Sequence, residues 1–140
     1  KKEITFEIKT DKFIDTGNLA FEKKYKNRLS GCFGSKADYF IYFFPRRNKD
    51  NLYIIKRDKL VDMLDDSKWS EYLRYGGDSN LALLYIIPSF EFDKVFIEIG
   101  GKLETYEVDI PDNFNLNKFE EKERVIYYGE RFNNYENPLD

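Results

Sequence analysis

Histidine is absent from this 140-residue chain, and cysteine, tryptophan and methionine occur once each. Without an imidazole there can be no Ser-His or Cys-His relay. The lone Cys32 excludes an internal disulfide and a multi-cysteine zinc site. No apolar run approaches the roughly 18 residues needed to cross a bilayer, so the expectation is an intracellular, cytoplasmic protein with no membrane partner. Abundant instead are charged residues, 35 %, and aromatic ones, 18 %. A chain of this length can bury one continuous core without staples, and neither an internal repeat nor a long linker divides it. A single domain over residues 1–140 is expected, with an acidic, Asn-rich tail at 111–140.

The net charge of −3 conceals two opposite halves. Residues 1–60 hold 15 Lys and Arg against 8 Asp and Glu, a balance of +7, while residues 61–140 hold 8 against 18, a balance of −10. A locally positive surface can hold phosphates on a protein that is acidic overall. Lys23, Lys24, Lys26, Arg28, Lys36, Arg46 and Arg47 are therefore candidate nucleic-acid contacts. Lysine-rich stretches are as often plain solvated loops, and that alternative stays open.

Periodicity supplies the elements. Ile4, Phe6 and Ile8 alternate with Thr5, Glu7 and Lys9, which predicts a strand with one apolar and one polar face. A turn at Asp15–Asn18 leads to a second alternation from Leu19 to Lys24, read as a strand antiparallel to the first. Residues 29–36 read as a loop. Phe40 to Phe44 are apolar without alternation until Pro45, the pattern of a central strand covered on both faces. Leu52 to Ile55 predict another strand, and Asp58 an N-cap for a helix carrying Leu60, Met63 and Leu64. Trp69, Tyr72 and Leu73 suggest a further helical turn. Leu81–Ile87 and Val95–Ile99 read as strands, the latter joined through Gly100-Gly101 to Leu103–Val108 as a hairpin. One more element is expected at Arg124–Tyr128. The fold class is α/β (α+β), a mixed sheet flanked by helices.

With imidazole and paired thiols excluded, carboxylates and lysines carry whatever chemistry there is. Such oxygen ligands suit Mg²⁺ or Mn²⁺, which assist phosphoryl transfer, and a lysine beside them can hold a water or stabilise a crowded phosphate. An acid two residues before a lysine occurs four times, at Glu7/Lys9, Glu22/Lys24, Asp66/Lys68 and Glu120/Lys122. The spacing alone is therefore weak. Only Glu7-Ile8-Lys9 sits in a clean β alternation, beside a second strand whose Glu22 would fall on the corresponding face. Cross-strand ion pairing on an exposed sheet is the competing account of the same residues.

The wider stretch EIKTD, TGNLAFE, SGCFGSKADYFIYF and LYIIKRDKL, roughly residues 3–66, resembles a group of phage and bacterial proteins in the PD-(D/E)XK nuclease superfamily. The resemblance implies a restriction-endonuclease-like fold and a Mg²⁺- or Mn²⁺-dependent endonuclease acting on DNA. It implies Glu7 as metal-binding acid, Lys9 as catalytic lysine and Glu22 as a nearby acid in the cleft. Asp11, Asn18, Ser30, Lys36 and Asp38 match the group's polar pattern without an assigned role. One departure stands out: the superfamily's first metal ligand is an aspartate on a strand preceded by a helix, before the acid-x-Lys strand. The chain begins Lys1-Lys2, so a preceding helix and strand are expected; otherwise Asp11 or Glu22 substitutes, or catalysis is lost. The alternative function is a non-catalytic member of the same fold that binds nucleic acid or protein, such as a virus-associated component, in which case the location is the host cytoplasm. A homodimer is also expected, since nucleases that cut both strands often pair.

Overall fold

The computed structural model describes residues 3–11, 17–45 and 49–107. Arg46, Arg47, the tail at 111–140 and the element expected at Arg124–Tyr128 lie outside the described residues.

Phe40 to Phe44 are apolar at every position because β4 (Tyr39–Pro45) is flanked by strands on both sides and buried along its length. β1 (Phe6–Thr10) pairs it in parallel, and β5 (Lys49–Lys56) pairs it antiparallel with Tyr42 opposite Tyr53. β8 (Lys102–Glu107) then adds to β5, giving the order β1-β4-β5-β8. A second four-stranded sheet has the order β3-β2-β7-β6, built from β2 (Asn18–Tyr25), β3 (Arg28–Leu29), β6 (Leu73–Gly76) and β7 (Ala82–Pro88). Among the described residues three helices pack with these sheets, α1 (Gly31–Gly34), α2 (Arg57–Leu64) and α3 (Ser89–Glu98), with 3-10 turns at Ser67–Tyr72 and Asp78–Asn80. The class is α+β, as expected, with a mixed first sheet.

One core joins these parts. Leu19, Phe21, Tyr85 and Ile87 of the second sheet meet Phe40, Tyr42, Phe44, Tyr53 and Ile55 of the first, with Leu60, Met63, Leu64, Phe92 and Phe96 from the helices between. Phe21, Phe40 and Phe44 are thus buried, as expected, whereas Phe6, expected with them, is 40 % exposed.

Several expectations are corrected. β1 and β2 are not an antiparallel pair; they belong to different sheets, because the free edge of β4 accepts β1 and β7 accepts β2. The faces of β1 are reversed: Ile4, Phe6 and Ile8 are 58 %, 40 % and 61 % exposed, while Lys9 turns toward the body of the protein. Alternation shows that two faces differ but not which one meets the core.

Residues 29–36 are not all loop, since they hold α1 and the end of β3. Val95–Ile99 is not a strand: Phe92, Phe96 and Ile99 recur at helical spacing, and burial of the first two against both sheets outweighs local β-branched content. Gly100-Gly101 therefore connects a helix to β8 rather than two strands. Asp58 lies inside the first turn of α2, whose N-cap is Lys56, and its carboxylate pairs with Arg57. Among the described residues no helix is long and apolar enough to cross a membrane.

Candidate functional site

The two sheets meet where Lys9 and Tyr42 reach toward Ala20. On the parallel ladder these two residues are register partners, so their side chains leave neighbouring strands on the same face. The Tyr42 hydroxyl accepts the Ala20 N–H at 3.1 Å and donates to Asp11 Oδ2 at 2.8 Å. Lys9 Nζ donates to the Ala20 carbonyl at 2.6 Å and lies 5.2 Å from the Tyr42 ring centroid. Both backbone groups of Ala20 are thereby satisfied by side chains of the other sheet, at a place where unpaired groups would be costly.

Electrostatics at this junction are set first by loss of water. Burial lowers the pKa of Lys9 below its ordinary value, against the opposing pull of Asp11, Glu22 and Cys32. The same burial, with Asp11 alongside, raises that of the Tyr42 phenol. Cys32 is buried and its thiol is pushed up to about 12, so at neutral pH it is not a thiolate nucleophile.

Glu22 reaches this junction from β2, half-buried. The neighbouring α1 is held against it by Gly31, which adopts φ +55; a Cβ there would lie 2.5 Å from the Glu22 carbonyl oxygen. Only glycine fits both the dihedral and the space.

The sequence-derived candidates are thus partly assembled. Lys9, Asp11 and Glu22 come together. Glu7 shares the inward face of β1 with Lys9 but is exposed, with no partner among the described residues. Asp11 is 8 % exposed and engaged by Tyr42. Among the described residues no three His, Cys, Asp or Glu side chains converge on a point where they could hold a metal ion.

The basic candidates divide in two. Lys23 bonds the Tyr85 hydroxyl at 3.4 Å, pairs with Asp65 at 3.5 Å, and lies over the Phe33 and Tyr85 rings. It is committed to packing. Lys24, Lys26 and Arg28 are exposed on the hairpin joining β2 to β3, whose turn residues Lys26 and Asn27 both have positive φ, 49 and 64. Lys36 follows α1 and, with Lys56 and Arg57, borders an open groove of about 610 Å³ that Asp38 and Asp58 also line.

Sequence reasoning missed Tyr42, which reads as one more core aromatic, and Arg57, which bonds the Cys32 carbonyl at 3.2 Å. The only available signal for Tyr42 was a hydroxyl in an otherwise phenylalanine-rich strand, since a buried phenol requires a partner. Comparison with family models, with curated proteins and with solved structures finds no match.

Proposed function

We propose that this domain acts on nucleic-acid phosphodiesters, as a Mg²⁺- or Mn²⁺-dependent DNA endonuclease whose catalytic lysine is Lys9. The observation that supports this reading is the position of Lys9. An acid-x-Lys strand turns its polar face inward, and the lysine is held in a desolvated junction beside Asp11 and Glu22. A cation restrained in this way needs little reorganisation to stabilise charge developing on a phosphate oxygen, and partial burial strengthens that effect. The ammonium also keeps donors beyond the one given to Ala20. Lys24, Lys26 and Arg28 would hold the backbone of the nucleic acid without reading its sequence.

The test is a plasmid-nicking assay with and without Mg²⁺ or Mn²⁺, on the parent chain and on Lys9→Ala and Glu7→Ala. Metal-dependent cleavage is expected, with at least about a hundredfold loss in Lys9→Ala. Undiminished cleavage by both variants would remove these residues from the site.

A second reading is a nucleic-acid-binding module without catalysis. It is favoured by the structural partners that Lys9 and Asp11 already have in Ala20 and Tyr42. If the chain takes up no Mg²⁺ or Mn²⁺ in titration and cuts nothing, yet binds DNA with an affinity that falls steeply with salt, this second reading holds.

A further inference from the structure

β1 is an edge strand with its side chains open to solvent on the face that would ordinarily be covered. Its ladder to β4 identifies which backbone groups remain free. Thr5 O accepts from Tyr39 N–H, and Asp11 N–H donates to Phe43 O. In a parallel ladder alternate residues serve the same neighbour, so Thr5, Glu7, Lys9 and Asp11 face β4. The N–H and C=O groups of Phe6, Ile8 and Thr10 point the other way, along an edge that no other described strand pairs. Beside them runs the exposed strip of Ile4, Phe6 and Ile8, at 58 %, 40 % and 61 %. A bare edge with an apolar flank is a template for another strand.

We propose that the occupant of this edge is β1 of a second copy of the chain, paired antiparallel about a two-fold axis through Ile8. In that register Ile8 exchanges both backbone bonds with Ile8 of the partner subunit, and Phe6 does so with Thr10 of the partner subunit. Every free group on the edge of β1 is then used. The same register sets Glu7 opposite Lys9 of the partner subunit, and Lys9 opposite Glu7 of the partner subunit. These fall at the non-hydrogen-bonded positions, where side chains approach most closely.

Shifting the axis by one residue toward the N-terminus would oppose Glu7 to its own copy. Shifting it the other way would oppose Lys9 to its own copy. Like charges directly opposite are destabilising, so charge disfavours both neighbouring registers, while the register through Ile8 sets opposite charges face to face. Ile8 meets its counterpart on the outer face, burying part of the exposed strip. Glu7 has no partner among the described residues and is free to make this contact. A strand pair of this length buries less than a standard interface, so association in the micromolar range is expected. The pairing stands apart from the nuclease reading and is tested without reference to cleavage.

The experiment is sedimentation equilibrium on the 140-residue chain from about 1 to 500 µM, with Ile8→Lys and Ile8→Glu alone and mixed in equal amounts. The parent chain should approach twice its 16.8 kDa mass. Each variant alone should remain monomeric, because like charges then face each other across the axis, and the equimolar mixture should regain the dimer. Ile8 is largely exposed, so both variants should keep the far-UV circular dichroism of the parent. A parent chain that stays monomeric throughout would overturn the proposal. So would variants that dimerise as well as the parent, or folded variants whose mixture fails to associate.

Discussion

At the scale of single residues, Lys9 and Tyr42 decide how the two sheets join. Lys9 loses hydration at the junction, and its lowered pKa means that the folded state binds its proton less tightly than the unfolded state does. The resulting penalty is fully present below the folded pKa and is relieved as pH rises from there to the ordinary value of 10.5. Compared with Lys9→Met, the parent chain should therefore gain stability over that window, as read by urea unfolding at a series of alkaline pH values. A flat difference would mean that Lys9 is hydrated. Tyr42→Phe removes the acceptor of the Ala20 N–H and a donor to Asp11. A loss of about 1–3 kcal/mol is expected from leaving a buried backbone donor unpaired, measured by the shift in urea midpoint.

At the scale of elements, α1 matters beyond its length. It turns the chain from β3 back toward β4, and its close approach to β2 depends on Gly31 and that to β3 on Gly34, where added Cβ atoms would lie 2.5 Å from the carbonyl oxygens of Glu22 and Leu29 respectively. Gly31→Ala combines that clash with a positive φ, so a cost of more than about 2 kcal/mol is expected. Retained stability in thermal unfolding would show that α1 can shift away from β2.

Elements with one strong local signal were legible: β4 by its unbroken apolar run, β5, β7 and α2 by theirs. α3 was not, because Val95–Ile99 taken alone carries β-branched residues, and its helical character comes from Phe92 and Phe96 packing against two sheets. The β2–β3 hairpin has no such local signal, since a turn with positive φ at Lys26 and Asn27 lacks the glycine that usually marks one.

At the scale of the whole molecule, the two sheets share one core through Phe92. Its ring stacks on Phe21 at 5.0 Å and Phe96 at 5.3 Å, and meets Tyr53 edge-on at 5.6 Å, so it touches both sheets and its own helix. Phe92→Ala should cost about 3–5 kcal/mol and lower the stability of both sheets together. Separate transitions for the two sheets in hydrogen exchange would contradict a shared core.

The sequence by itself determined the α+β class, the central position of β4, the exclusion of imidazole and disulfide chemistry, and the pairing of Glu7 with Lys9 on one face of a strand. Each follows from composition or from a period of two, which are properties of a local stretch of chain. Only the tertiary structure decided which face of β1 points inward, that β1 and β2 lie in different sheets, and that Asp11 and Glu22 gather around Lys9 while Glu7 stays at the rim. Those outcomes depend on which strand edges find partners, and that competition is settled by contacts between residues far apart in sequence.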